Sequence, residues 1–72
     1  MNSLDLHGTK HEDAFESVED LILENQLPVE IITGNSLEMQ KIVKSVIKKY
    51  KLAIFLPNPS NLGSLVVVEN LK

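Results

Sequence analysis

Two apolar runs near the end of the chain, LAIFL (52–56) and SLVVVE (64–69), are separated by the seven residues PNPSNLG. Both read as strands, and this link fixes how they pair. A parallel pairing needs a crossover of about a dozen residues or more, so two strands this close must lie antiparallel. The two prolines and the glycine mark the link as a loop.

The remainder of the chain alternates strand and helix. Ser3–Leu6 reads as a short strand, with Leu4 and Leu6 alternating against Asp5 and His7. Asp5 and His7 are two apart and are therefore expected on the same side of that strand. Gly8 ends it, and Thr9 is expected to open a helix. Thr9 and Glu12 have the spacing of a capping box, and Glu12 and Asp13 suit the positive end of the helix dipole. Ala14, Phe15, Val18, Leu21 and Ile22 recur at helical spacing, and the helix should fade near Asn25. VEIITG (29–34) is a β-branched second strand. Asn35 and Ser36 follow as turn and cap residues, and Asn35 with Glu38 forms a second possible capping pair. Met39, Ile42, Val43, Val46, Ile47 and Tyr50 give the apolar face of a second helix, and Lys41, Lys44, Lys48 and Lys51 form a separate stripe on it.

The order is β-α-β-α-β-β. Strand–helix–strand units favour parallel pairing with right-handed crossovers. Seventy-two residues cannot cover both faces of a sheet with helices. The expected architecture is therefore an α/β (α+β) two-layer sandwich. Its four-stranded mixed sheet carries both helices on one face, with the apolar last strand internal and antiparallel. The third and fourth strands are apolar at both alternations, so some of those side chains should be exposed or covered by a partner. A homodimer through the open sheet face is one expectation.

Length and composition restrict the function. The chain makes a single domain, 1–72, near the lower size limit for a fold without staples, and it has no cysteine for a disulfide or a thiolate zinc site. A hydrophobic fraction of 43% fits a globular domain. No apolar run reaches the ~18 residues of a membrane span, and the first residues lack a secretory pattern. A soluble, cytoplasmic protein without membrane contact is expected. The net charge of −3 is unevenly distributed. Residues 1–30 hold eight acids and one lysine, whereas residues 31–72 hold two acids and six lysines. The whole chain is not a basic nucleic-acid binder, but the lysine-bearing helix could serve as one.

Chemistry is expected at the carboxyl ends of the parallel strands, where DLHG and TGNS should meet. Each leads into a helix N-terminus, which favours anions, and Gly34 allows close backbone approach to a phosphate. Histidine is the residue type suited to proton transfer at neutral pH, so His7 can act as a general base or acid. Asp5 could orient its imidazole, and His11, in the first helical turn, could reach the same site. Two histidines beside a phosphate could share the proton transfers of RNA cleavage without a metal. Cutting DNA requires water as nucleophile and calls for a divalent ion such as Mg2+. No metal site is expected from His7 and His11, because a turn separates them and cysteine is lacking. Each feature also has a plainer reading. Asp5 and His7 can be a solvated pair, His11 an exposed helix residue, TGNS a capped turn, and the lysines a solvated face.

The segments LDLHG, HEDAFESVEDLI, VEIITGNS and NLGSLVVVE together resemble the Smr (small MutS-related) domain over nearly the whole chain. The LDxH signature is intact as Leu4, Asp5, Leu6 and His7. The TGxG signature is partial: Thr33, Gly34 and Asn35 are followed by Ser36 where the family has its second glycine. The resemblance implies a β-α-β-α-β-β fold like the C-terminal domain of translation initiation factor three, with the last strand inside the sheet. It also implies nucleic-acid binding, with nicking or cleavage of DNA or RNA. On this reading Asp5 and His7 are catalytic candidates, with His11 assisting. Thr33, Gly34, Asn35 and Ser36 would hold the phosphate backbone, and Lys41, Lys44 and Lys48 would neutralise phosphates. Non-catalytic RNA binding and a homo-oligomeric interaction domain are the alternatives.

Overall fold

A computed structural model of the chain describes residues 1–58, 60 and 63–70. Of the loop expected over 57–63, Pro59, Asn61 and Leu62 lie outside the described residues. The elements are β1 (Asn2–Asp5), α1 (His11–Glu24), β2 (Val29–Ile32), α2 (Leu37–Lys49), β3 (Ala53–Phe55) and β4 (Ser64–Val68). They form one four-stranded sheet in the order β1-β2-β4-β3. β1 and β2 are parallel, and β4 is antiparallel to both β2 and β3. The expected mixed sheet with an internal, antiparallel last strand is the one observed.

The register explains which side chains make the core. Leu4 lies opposite Ile31, Ile31 opposite Leu65, and Val67 lies between Val29 and Ile54. These residues share the face that meets the helices. There they pack with Ala14, Val18 and Ile22 of α1 and Met39, Val43, Val46 and Ile47 of α2. The β-branched residues of β2 and β4 suit a pleated surface buried under helices. On the other face, Val66 is buried, Ala53, Ile32 and Val68 are half-buried, and Phe55 is 57% exposed. The exposure expected on β3 and β4 is thus concentrated at Phe55. No helix among the described residues is long and apolar enough to cross a membrane.

Three local details differ from the sequence expectation. β1 begins and ends one residue earlier than expected, which leaves His7 beyond the strand. The Asn2 side-chain amide there donates to Asn25 Oδ1 at 2.7 Å, and Asn25 Nδ2 donates to the Leu21 carbonyl at 2.9 Å, so the end of α1 is tied to the start of β1. The Thr9–Glu12 capping box does not form. The N-cap of α1 is Lys10, with no side-chain cap bond. Thr9 N–H instead closes a turn on the Leu6 carbonyl at 2.9 Å, so the donor that Glu12 would have reached back to is already taken. At the start of α2 the cap is Ser36, not Asn35: its hydroxyl accepts from Met39 N–H at 3.1 Å.

α2 closes with a Schellman motif. Leu52 N–H reaches the Ile47 carbonyl at 3.0 Å, and Lys51 N–H reaches that of Lys48 at 3.1 Å. Lys51 occupies the left-handed position, φ 56°, where glycine is usual. It therefore lies beyond the helix, and the lysine stripe on α2 reduces to Lys41, Lys44 and Lys48. A side chain in this conformation carries about 1 kcal/mol of strain. Lys51→Gly is expected to raise stability by up to about 1 kcal/mol, read as a higher denaturant midpoint at unchanged slope.

Lys49 has a different role from the other lysines of α2. Its ammonium meets Glu19 Oε2 of α1 at 2.5 Å, and Tyr50 Oη donates to the same oxygen at 2.7 Å. The ammonium also lies over the Phe15 and Tyr50 rings, 5.6 and 5.3 Å from their centres. The hydrogen bond from Lys49, then that from Tyr50, lowers the Glu19 pKa, and Glu19 in turn raises that of Lys49. The cluster joins α1 to α2 and removes Lys49 from the set of unpaired cations.

Candidate nucleic-acid site

The carboxyl ends of β1 and β2 are brought side by side. Asp5 pairs with Ile32, and Leu6 N–H donates to the Ile32 carbonyl at 2.8 Å. Leu6 is 1% exposed and anchors the turn that follows. That turn runs Leu6–Thr9 with Gly8 at φ 85°, the geometry of a type II turn, which requires a positive φ at its third position. His7 is therefore the outward corner of a turn, not a strand residue facing the same way as Asp5. Asp5 and His7 are linked nonetheless: Asp5 Oδ1 accepts from the His7 backbone N–H at 2.9 Å. Both side chains are exposed. Among the described residues Asp5 Oδ2 and the His7 imidazole form no hydrogen bond. One carboxylate oxygen thus braces the turn, while the other and the imidazole face solvent.

His11 is the first residue of α1 and is exposed. It borders a shallow hollow with Thr9, Lys10 and Glu12 that includes neither Asp5 nor His7. No hydrogen bond or ion pair joins it to either residue among the described ones. The exposed Glu12 and Asp13 occupy the first turn of α1, which makes that helix start unfavourable for an anion.

The second signature folds inward. Thr33 is 4% exposed. Its N–H and that of Gly34 both donate to the Gly63 carbonyl, at 2.8 and 3.0 Å. The Thr33 hydroxyl donates to the Gly34 carbonyl at 3.1 Å and lies 3.4 Å from that of Gly63. Gly34 holds φ 65°, which favours glycine, although a Cβ would meet nothing within 4 Å. Thr33 and Gly34 are therefore pinned to the residue before β4 and do not present donors to a phosphate. The outward groups here are the Asn35 side chain, the Ser36 hydroxyl proton, and the first N–H groups of α2 at Leu37 and Glu38. The exposed Glu38 carboxylate in the same turn offsets part of the attraction of those N–H groups for an anion.

Two participants were missed by sequence reasoning. Gly63 accepts both TG donors, and the only sequence sign of it was the glycine just before the last strand. Gln40 extends Nε2 to the Gly34 carbonyl at 3.4 Å; nothing in its local sequence, a neutral residue between Met39 and Lys41, marks that contact. Lys41, Lys44 and Lys48 are exposed and lead away from Ser36 along α2. At 1.5 Å per residue they stand about 8, 12 and 18 Å from it along the axis. No group of three or more His, Asp or Glu among the described residues has an arrangement that would hold a metal ion.

Ser36 departs from the glycine of the TGxG signature without backbone cost, since its φ is −79°. Its hydroxyl is an N-cap. Ser36→Ala is expected to lose about 1 kcal/mol, whereas Ser36→Gly should lose only a few tenths, measured by chemical denaturation.

Comparisons with protein-family models, curated proteins and solved structures found no match to this chain.

Proposed function

We propose that this chain is a Smr-like nucleic-acid-binding domain that cleaves phosphodiester bonds in RNA or DNA, with Asp5 and His7 supplying the acid–base chemistry. The observation that supports it best is the pairing at the sheet edge. Asp5 Oδ1 accepts from the His7 backbone N–H at 2.9 Å, and the second carboxylate oxygen and the imidazole are both exposed on the same turn. With RNA, His7 takes the proton of the 2′-hydroxyl, that oxygen attacks phosphorus, and the departing 5′-oxygen takes its proton from water at the exposed turn. With DNA, water would replace the hydroxyl; the exposed Asp5 carboxylate would be the oxygen ligand for a Mg2+ ion, which would supply activation of that water. Lys41, Lys44 and Lys48 hold the backbone as point charges, in a cytoplasmic setting where nucleic acid is the partner.

The test is incubation of end-labelled RNA and DNA with the purified chain, with magnesium and with chelator. Fragments support the proposal, and the chelator lanes separate the two routes. Intact substrates in every lane, together with salt-dependent retention on a gel, favour the second reading, a non-catalytic binding module. A specific observation speaks for that reading: Asp5 braces a turn, and Thr33 and Gly34 are turned inward, so much of the two signatures has a structural role.

A further inference from the structure

We infer that the groove between α2 and β3 is a slot for one unpaired nucleobase. The inference rests on the nucleic-acid reading above and specifies the form of strand that it takes. The groove has a volume of ≈ 300 Å³, at the lower end of the range for ligand pockets. Its sheet side is aliphatic, made by Ile54, Leu56 and Leu65, and its helix side is Gln40 and Lys44. An apolar floor with an ammonium and an amide on one wall suits a flat heteroaromatic ring attached to a phosphate. The floor covers a face of the ring, Gln40 offers a donor and an acceptor to its edge, and Lys44 meets the backbone charge.

Charge and position support this occupant over a protein side chain. Five exposed acids, Glu12, Asp13, Glu16, Asp20 and Glu24, lie on α1, whereas α2 carries the exposed Lys41, Lys44 and Lys48 beside the groove against the single exposed acid Glu38 in its first turn. A polyanion is drawn along α2 and kept from α1. The groove also opens toward the end of the sheet that carries the candidate site. β3 runs in the same direction as β1 and β2, since both β2 and β3 are antiparallel to β4. Leu56 therefore follows β3 at the same end of the sheet as the Asp5–His7 turn, which lies three strand spacings, about 14 Å, across the sheet on the opposite edge strand. Gln40 contributes to the groove and bonds the Gly34 carbonyl. A strand whose phosphates follow Lys44 and Lys41 toward Ser36 can place one base in the groove on its way to that edge. In a duplex the bases are paired and stacked and show only their edges, so a slot that covers a base face selects an unpaired nucleotide.

The test is fluorescence anisotropy of the full chain in chelator with three labelled DNA probes: a single strand, its duplex, and an abasic strand with the same number of phosphates. The single strand is expected to bind about tenfold more tightly than the abasic strand, the worth of roughly 55 Å² of apolar surface covered by one base face, and more tightly than the duplex. Leu56→Asp, at a position 38% exposed, should remove that preference and leave a salt-dependent residue of binding. Leu56→Ala gives a weaker form of the same loss in a variant of minimal disturbance. Equal affinity for the single and abasic strands overturns the slot while the nucleic-acid reading stands. Binding to none of the probes, nor to an RNA strand of the same sequence, overturns both. A concentration-dependent dimer by sedimentation that Leu56→Asp abolishes assigns the groove to a second copy and also overturns the slot.

Discussion

His7→Ala is expected to lower the rate of phosphodiester cleavage by at least about 100-fold, the lower range for removal of a general acid or base, and to leave the fold intact. The second half of that expectation follows from how the turn is built. His7 contributes its backbone N–H to Asp5 Oδ1, and Thr9 N–H closes the turn on Leu6. An alanine keeps both bonds and the negative φ that this turn position takes. The imidazole is exposed and bonded to nothing among the described residues. Surface changes of this kind alter stability by no more than about 0.5 kcal/mol, which in a domain of this size moves the melting temperature by roughly 2–4 °C. Single-turnover cleavage and thermal unfolding of the same preparation separate the two effects. A His7→Ala protein that cuts at the wild-type rate removes His7 from the chemistry.

Ile31→Ala is expected to remove a large share of the protein's stability. Ile31 has no exposed surface. It lies on the internal strand β2, opposite Leu4 on one side and Leu65 on the other, under both helices. Truncating a buried isoleucine costs about 2–5 kcal/mol, the lost transfer energy plus the cavity left behind. A chain this short has a total stability of roughly 4–11 kcal/mol. The substitution therefore removes a large share of it, and the melting temperature should fall by at least about 10 °C. Phe55→Ala is the matching control on the open face. Its side chain is larger but 57% exposed, so its loss should cost well under that of Ile31. If the two variants melt together, the helix-covered face is not where the stability lies.

The fold was legible because the strongest signals were periodic or topological. The Met39 to Ile47 spacing marked the buried side of α2, and the unbroken apolar run of SLVVV placed β4 between two strands. The link between β3 and β4 was too short for anything but an antiparallel return. Local caps were less legible, since several residues compete for one donor. Thr9 and Glu12 had capping spacing, but the Leu6–Thr9 turn takes the Thr9 N–H first. Asn35 and Ser36 were equally good caps by type, and only the path of the chain after Gly34 chose Ser36. The candidate site was legible as a location, with the ends of β1 and β2 side by side, but not in its orientations. Strand parity placed Asp5 and His7 on one side, whereas the positive φ of Gly8 turns His7 outward. Thr33 looked like a phosphate donor until Gly63, 30 residues away in sequence, was seen to hold it inward. Long-range acceptors of this kind leave no local pattern.

The central claim is that Asp5 acts in chemistry and does not merely brace a turn, and Asp5→Asn tests it most directly. Asparagine keeps an Oδ1 that accepts the His7 N–H and so retains the brace, but it removes the carboxylate charge and the proton-accepting oxygen. The measurement is single-turnover cleavage of end-labelled RNA and DNA by wild-type and Asp5→Asn protein, with the melting temperature of each. The account predicts that Asp5→Asn melts within a few degrees of wild type and cleaves about 100-fold more slowly or not at all. Cleavage by Asp5→Asn at the wild-type rate would contradict it and leave Asp5 as a turn residue alone.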